Sequence, residues 1–369
     1  MSRLAGAWFV EDVIVDDDDD DGNSSEGAAR LQRRLIFASN RAALQSEVSV
    51  SRTGVVDHTR PLCFEYHGII ARATDELFSQ GGAGAGEPRM PVLVVGLGGG
   101  ALPAHLALRF PWLAVTAVEL DAEIVSVAEA HFALPSAPAA SRVQMTDIDA
   151  AAAAGGGAAV DEEGGRRVAA AARALGGAFS DTTCAPPGSV RVVVGDGLQV
   201  IQLLANAVGT GALSPHARPR AVILDVNASA GELASGISFP PPAFLTPDFL
   251  GAARTLLAPD GLLMLNCGAR SAARRREAEE SFAEAFAGVP VARISPSDDD
   301  DDGGDLNAVL LAGEALGRVR DKKLAGARLE ALARSPPRTD PPLQTPSVAP
   351  SVRPTIAAAE ARARKLDLD

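Results

Sequence analysis

From residue 91 onward, apolar runs alternate with segments in which apolar residues recur every three or four positions. The apolar runs predict strands at 91–96, 113–121, 190–197, 220–226, 261–268 and 308–313. The segments between them predict helices at 102–110, 122–134, 198–208 and 247–261. Continuous apolar strands that alternate with helices are typical of a parallel sheet buried on both faces. The pattern therefore predicts an α/β protein with a parallel-rich, twisted sheet and helices on both sides.

The chain before residue 91 shows a different pattern. The segment "AWFVEDVIV" (7–15) predicts a short strand, and the alternation in 31–51 predicts further strands with a turn near Ser39 and Asn40. Helical spacing of apolar residues follows in "CFEYHGIIARATDELFSQ" (63–80). We therefore expect a small N-terminal β-strand element and one helix ahead of the main sheet.

Composition divides the chain into four predicted regions. An acidic, flexible N-terminus covers 1–28, and the N-terminal strands and helix cover 29–90. The main α/β domain covers 91–315, and a C-terminal helix with a Pro-rich tail covers 316–369. Within the main domain, 135–188 contains "AAAAAGGGAAVDEEGG", a composition that buries little. We expect this stretch to be a mostly disordered insertion, with a helix near "RRVAAAARAL".

The charge and cysteine content exclude several classes of protein. The net charge of −13 argues against a nucleic-acid or anionic-membrane partner, because phosphate groups would be repelled. The three cysteines lie far apart, so they predict neither a zinc site nor a disulfide framework. No apolar run approaches the length of about 18 residues that spans a membrane. The expected location is the cytoplasm, and the sequence leaves the oligomeric state open.

The glycine-rich turn after the strand at 91–96 is the first candidate for ligand binding. Gly96, Gly98 and Ala101 fit the dinucleotide pattern G-x-G-x-x-G/A, and Glu119 lies 23 residues after Gly96. However, acidic residues also end the next strands, at Asp196 and Asp225. A pyrophosphate would be repelled by such a rim of carboxylates, whereas a sulfonium cation would be attracted. The pattern therefore favours S-adenosyl-L-methionine over a dinucleotide.

Several sequence blocks then resemble one family. The blocks are "RRLIFASNRAALQSE" (33–47), "VVGLGGGALP", "AVELD", "GDGL", "ILDV", "FPPPAFLTPDFL" (239–250) and "LAPDGLLMLN", in this order. They resemble the spermidine-synthase-like branch of the class I, Rossmann-like S-adenosylmethionine-dependent methyltransferases. More specifically, they resemble the C-terminal domain of the methyltransferase-like thirteen family, which methylates translation elongation factor 1-alpha. The similarity covers roughly 30–135 and 188–315.

The resemblance implies a set of site residues. The family's cofactor contacts correspond here to Gly96, Gly98, Glu119, Asp196, Gly197 and Asp225. In the spermidine-synthase relatives, a helix with an E-x-Y-H/Q-type motif lies over the cofactor, and this chain has Glu65, Tyr66 and His67. We expect Tyr66, His67 and Phe239 to line the acceptor pocket, and Phe244 to lie in the core.

The segment after Asp225 distinguishes two reactions. Polyamine synthases carry a D-x-x-D motif here, but this chain has "DVNASAGELASG", with Ala228 in place of the second acid. We therefore predict methyl transfer to a protein amine, with Asp225 and Asn227 as the catalytic pair and Glu232 as a possible second acid. The resemblance implies the N-terminus, or a lysine, of elongation factor 1-alpha as the acceptor. An aminopropyltransferase and a catalytically degenerate scaffold that binds partners through its acidic loops are the alternatives.

Overall fold

A computed structural model of the chain describes residues 7–15, 30–38, 44–58, 60–78, 89–145, 162–180, 185–228, 236–269, 271–295 and 306–317. The strands are β1 (Trp8–Val15), β2 (Arg30–Phe37), β3 (Leu44–Val50), β4 (Met90–Val95), β5 (Leu113–Glu119), β6 (Val143–Gln144), β7 (Val190–Val194), β8 (Ala221–Leu224), β9 (Ile237–Phe239), β10 (Leu262–Ala269), β11 (Val291–Ile294) and β12 (Leu306–Ala312). The α-helices are α1 (Glu65–Phe78), α2 (Ala101–Arg109), α3 (Ala122–His131), α4 (Glu162–Ser180), α5 (Gly197–Gly209), α6 (Pro247–Leu256), α7 (Ala272–Ala285) and α8 (Glu314–Gly317).

The main sheet runs in the order β11-β12-β10-β8-β4-β5-β7-β6, with the short β9 paired to β10. The pairs formed among β4, β5, β7, β8 and β10 are parallel, and β12 is antiparallel to both β10 and β11. The chain starts this sheet in its middle at β4, runs outward through β5 and β7, and returns to the other side of β4 at β8. Such a reversal opens a crevice at the carboxyl ends of β4 and β8, where open α/β sheets bind ligands.

Each central strand buries both of its faces. In β4, Leu93 and Val95 belong to one core, and Val92 and Val94 belong to the core on the opposite face. The first core is completed by buried residues of α4 to α7, and the second by residues of α1, α2, α3 and α8. A strand with apolar side chains on both faces has a continuous apolar sequence, which is the pattern from which these strands were predicted. The predicted parallel-rich α/β fold with helices on both faces is therefore confirmed.

The N-terminal strands form a separate antiparallel sheet in the order β1-β2-β3. Leu35 of β2 and Val48 of β3 are buried together with Ala101, Val127 and Phe132 of the main domain. This small core places β3 beside the start of α2. The predicted N-terminal strand element is confirmed, while the predicted turn at 39–40 lies outside the described residues.

The segment 135–188 differs from its prediction in the parts that the structure describes. Ser136 forms a bridge with Val190, and β6 adds a short parallel strand beside β7. Helix α4 contains the predicted "RRVAAAARAL" segment, and its Leu175 and Phe179 are buried in the core shared with α5. The expectation that this region buries little was therefore wrong for α4. Small alanines let the helix approach its neighbour closely, so a low-complexity composition hid a packing surface.

Within the part of the chain that the structure describes, no helix has the length and apolar character of a membrane span. The division of the chain at residues 28, 90 and 315 stays a prediction. The acidic runs at 16–21 and 298–302 and the tail after 317 lie outside the described residues.

The burial of α4 can be tested by a substitution. Leu175 is fully buried, so Leu175→Ala should lower the free energy of unfolding by about 2–5 kcal/mol, through lost apolar contacts and a residual cavity. The matched control is Arg173→Ala on the exposed face of the same helix, which should change it by about 0.5 kcal/mol or less. Urea unfolding followed by circular dichroism measures both. Equal effects of the two substitutions would contradict the packing of α4.

Candidate active site

The glycine turn after β4 is held against β8 by backbone contact. Gly96 has φ of +97°, and a Cβ at this position would lie 1.9 Å from the backbone carbonyl oxygen of Asp225. Gly98 has φ of +52°, and its Cβ would lie 3.0 Å from the carbonyl oxygen of Gln45 in β3. Both positions favour glycine because L side chains rarely adopt positive φ. The turn therefore lies between β8 and the N-terminal sheet, with its backbone at the sheet's crevice.

Glu119 ends β5 and faces this turn. One carboxylate oxygen accepts a hydrogen bond from the backbone N–H of Leu97 at 3.2 Å, and the other accepts from Asp121 at 3.0 Å. Burial raises the pKa of the Glu119 carboxyl, while the N–H groups of Asp121, Leu97 and Gly98 oppose that shift. Asp121 caps α3 by accepting from the Glu123 N–H at 2.9 Å. The structure thus places the predicted Glu119 directly against the glycine turn.

Asp196 and Gly197 begin α5 at the same edge of the sheet. The Asp196 carboxylate is exposed and accepts from the backbone N–H of Leu198 at 2.9 Å, which caps the helix. A Cβ on Gly197 would lie 2.3 Å from Cγ1 of Val95. Glycine at 197 is therefore explained by close packing of α5 on β4. A contact of either residue with the cofactor stays a prediction.

Asp225 is the centre of a largely buried polar cluster. Nε2 of His67 lies 2.8 Å from its Oδ2, and Nδ2 of Asn266 donates to its Oδ1 at 3.1 Å. The Tyr66 hydroxyl forms a third hydrogen bond to the same carboxylate. Burial alone would raise the pKa of Asp225, but His67 and the three hydrogen bonds outweigh it and hold the pKa below its usual value. The carboxylate is therefore ionised at neutral pH.

Helix α1 brings Tyr66 and His67 to this cluster; that they line an acceptor pocket stays a prediction. Their rings lie 4.3 Å apart between centroids, and Phe64 stacks on Tyr66 at 5.6 Å. Burial and the charge of Asp225 raise the pKa of Tyr66 well above its usual value, so its hydroxyl stays protonated. Nδ1 of His67 is buried without a hydrogen-bond partner in the described residues. Helix α1 thus supplies two side chains, Tyr66 and His67, that hydrogen-bond to Asp225.

Asn266 is a site residue that the sequence analysis missed. It lies in β10, it is 1% exposed, and its Oδ1 has no hydrogen-bond partner in the described parts of the chain. An amide within the apolar run "LLMLNCGA", close to the carboxyl end of a central strand, was the signal that could have found it. Leu120 was also missed; it follows Glu119 and is an unusually exposed leucine at 55%.

The other predicted acceptor residues lie around this cluster with different partners. Asn227 is exposed, and its Nδ2 donates to Oε1 of Gln45 at 2.9 Å, so it links the β8 loop to the N-terminal sheet. Phe239 is half-buried in β9, opposite Gly268 of β10. Phe244 is buried and meets Phe249 edge-on at 4.9 Å between centroids, which confirms its core position. Glu232 lies outside the described residues.

Two known proteins with similar sequences are named for the same activity. The chain is 26% identical over 300 residues to the eEF1A lysine and N-terminal methyltransferase of Homo sapiens, across 72% of this chain and 32% of that protein. It is 25% identical over 294 residues to the Drosophila melanogaster homolog, across 78% and 33%. The chain thus spans about a third of the length of these curated relatives. These similarities confirm the resemblance that the sequence blocks indicated. No protein-family model matches the chain.

Two solved structures superpose on most of this chain. Human methyltransferase-like protein 13 in complex with SAH superposes with a TM-score of 0.45 at 23% identity, across 75% of this chain and 96% of that chain. A probable spermidine synthase from Corynebacterium glutamicum superposes with a TM-score of 0.49 at 18% identity, across 92% and 99%. The α/β fold of this chain is defined by the order and direction of its own strands.

The lowered pKa of Asp225 predicts a pH-dependent contribution to stability. Because the folded-state pKa lies below the ordinary value of about 3.9, the ionised group stabilises the fold above that pH. The contribution is lost as the pH falls through the folded-state pKa. Near neutral pH, Asp225→Asn should lower the free energy of unfolding by about 1–3 kcal/mol, since a buried donor loses its acceptor.

Urea unfolding of wild type and Asp225→Asn across acidic pH measures this contribution. The difference between the two proteins should shrink as the medium becomes more acidic. A difference that stays constant down to the acid limit of folding would contradict the ionised cluster. Asp248→Asn, at an exposed position in the first turn of α6, is the control.

Proposed function

We propose that this chain is an S-adenosylmethionine-dependent methyltransferase that acts on a protein amine. The observation that carries the proposal is the set of carboxylates at the carboxyl ends of three parallel strands, at Glu119, Asp196 and Asp225, around the glycine turn. Such a rim attracts a cationic sulfonium donor and an amine acceptor. It disfavours a phosphate-bearing cofactor, because like charges repel at short distance.

The residues present fit this cofactor. Gly96 and Gly98 let the turn pack closely against the backbone of Asp225 and Gln45, which holds the turn at the edge where a ligand would bind. Glu119 is a carboxylate of the kind that hydrogen-bonds ribose hydroxyls. Leu120 offers an exposed apolar surface to a nucleoside base. When bound, S-adenosylmethionine supplies an electrophilic methyl group on a positively charged sulfur.

The Asp225 cluster fits an amine acceptor. A carboxylate offers about four acceptor sites, and His67, Asn266 and Tyr66 fill three of them. The remaining site can accept one N–H of an incoming amine and orient its lone pair. Nε2 of His67 lies 2.8 Å from Oδ2 of Asp225, so the ring is held against the carboxylate. Tyr66 and Phe64 form an apolar wall that helps to exclude water.

Methyl transfer fits this site better than aminopropyl transfer. A diamine dication calls for a second carboxylate, but Ala228 is buried where the second acid of D-x-x-D would stand. Asp225 is the only carboxylate in the described part of its loop, 225–228. Methyl transfer needs a neutral amine held in line, and one oriented acceptor suffices for that.

An N-terminal amine is the acceptor that we favour. An α-amino group, with a pKa of about 7.7–8.0, is partly neutral at pH 7, whereas deprotonating a lysine costs roughly 4–5 kcal/mol. The relatives at about 25% identity are named for both lysine and N-terminal methylation of eEF1A. We therefore propose the N-terminus of eEF1A as substrate, with a lysine of that protein as the second candidate. Because an elongation factor works where ribosomes translate, the proposed place of action is the cytoplasm.

Donor binding depends on Glu119 in this proposal. Glu119→Ala should weaken S-adenosylmethionine binding at least about tenfold, because two charge-assisted hydrogen bonds to ribose hydroxyls are lost. Isothermal titration calorimetry measures the affinity, and Glu284→Ala on the exposed face of α7 is the matched control. Unchanged donor affinity in Glu119→Ala would contradict the proposed role of Glu119 in binding the donor. Absence of any donor binding to the wild type would favour a degenerate scaffold.

The acceptor can be tested with labelled donor and two forms of one peptide. An eEF1A N-terminal peptide with a free α-amine should gain label, and the same peptide with an acetylated N-terminus should not. Mass spectrometry locates the methyl group and separates the α-amine from lysine. A parallel reaction with decarboxylated donor and putrescine tests aminopropyl transfer. Product in that reaction alone would exclude the proposed methylation.

A further inference from the structure

Arginines gather at the edge of the main sheet opposite the candidate active site. Arg89 immediately precedes β4, Arg191 is the second residue of β7, and Arg220 immediately precedes β8. Because these three strands run in the same direction within one parallel sheet, their amino ends lie along one edge. Arg218 lies two residues before Arg220. This clustering contrasts with the net charge of −13 for the whole chain.

A cavity of about 310 Å³ lies beside Arg89, Arg218 and Arg220. Its polar lining consists of Arg89, His216, Arg218, Arg220 and Asp260, and the ring of Trp112 forms part of its apolar wall. Three guanidinium groups and one carboxylate are among the described residues that line it. The volume lies at the lower end of the range of small-molecule sites, which is about 300–1,000 Å³.

The guanidinium groups of Arg218 and Arg220 are held in place and have N–H groups that their contacts do not use. Arg218 donates to the carbonyl oxygens of Thr255, Leu256 and Leu257 at the carboxyl end of α6. Arg220 pairs with Asp260 at 2.6 Å, while its Nε is buried without a partner in the described residues. A guanidinium has five N–H groups, and these contacts use only some of them.

The clustering of like charges has an energetic consequence. Burial lowers the pKa of Arg89, and the positive charge of Arg191 lowers it further. Like charges held close together repel one another, so an anion placed between the guanidinium groups is attracted to them.

We propose that this cavity is a binding site for a small phosphate-bearing ligand, separate from the methyl-transfer site. Phosphate carries a charge of about −1.5 to −2 at pH 7, so it is attracted to the three guanidinium groups that line the cavity. Planar guanidinium groups bind phosphate oxygens in pairs, so they suit this anion better than a lysine cluster would. Leu306, the first described residue after the acidic run at 298–302, pairs with Ala269 at the carboxyl end of β10, on the opposite edge of the sheet.

The test titrates inorganic phosphate into the full chain by calorimetry, at constant ionic strength and without methyl donor. Wild type should show saturable binding. Asp260→Asn removes the one carboxylate of the cavity and should tighten phosphate binding about fivefold, by loss of repulsion at short range. Arg220→Gln should weaken it about tenfold, because a charge-assisted contact is lost.

Two controls lie outside the cavity. Asp248→Asn lies at the far end of α6, and Arg274→Gln lies on the exposed surface of α7; both should leave phosphate affinity unchanged. Phosphate binding that is tightened by Asp260→Asn and unchanged by Asp248→Asn supports the site. Absence of saturable binding, or equal affinity in wild type and Asp260→Asn, overturns it. Circular dichroism checks that Arg220→Gln folds, and if it does not, the Asp260→Asn comparison decides alone.

Discussion

The contact between Gly96 and the backbone of Asp225 is the constraint on which the candidate active site depends. The carbonyl oxygen of Asp225 occupies the position of a side chain at 96, with only 1.9 Å to a Cβ placed there. The end of β4 can approach the end of β8 this closely only because residue 96 has no side chain. That approach places the glycine turn beside the loop that carries Asp225. The amide of Gly99 then donates to the Ser46 hydroxyl at 2.8 Å, which fixes the turn to the N-terminal sheet.

The two edges of the main sheet carry opposite charges. Glu119, Asp196 and Asp225 lie at the carboxyl ends of the strands, while Arg89 and Arg220 lie at the amino ends. Because parallel strands all run in the same direction, charged residues at the same end of each strand lie along one edge of the sheet. A single net charge for the chain hides this separation. The acidic edge suits a sulfonium and an amine, and the basic edge suits an anion, so one sheet can present two sites of opposite preference.

Much of this arrangement could be predicted from local sequence. Strands buried on both faces produce continuous apolar runs, so the order of strands and helices could be predicted. A carboxylate at the end of a strand could also be recognised, because it interrupts such a run. The contacts between distant positions were not predictable in this way. His67 and Asp225 are separated by 158 positions, and only the packing of α1 on the sheet brings them to 2.8 Å. The arginine cluster was missed for the same reason, whereas Asn266 had a local signal, an amide within an apolar run.

Residue composition led to a wrong prediction for α4, because the packing of this helix depends on small residues. Helix α4 consists largely of alanine and glycine, which resembles a low-complexity linker when only residue counts are considered. In the fold, a Cβ on its Gly176 would lie 3.1 Å from the carbonyl oxygen of Ala212, so the small residue permits close approach of the helix to the chain after α5. The few large side chains, Leu175 and Phe179, then fill the space between. A helix with few bulky residues can be integral to a core when the remaining residues are small.

The bonding of Asp225 also limits the chemistry that it can perform. A carboxylate with a lowered pKa and three protein donors is a weak base, so it is poorly suited to remove a proton from an ammonium group. It is well suited to hold a neutral amine by one N–H and to keep the imidazole of His67 in a fixed orientation. An acceptor amine that is already partly neutral at physiological pH needs no stronger base. The lowered pKa of Asp225 therefore agrees with the proposed α-amine acceptor, since a lysine would need a stronger base.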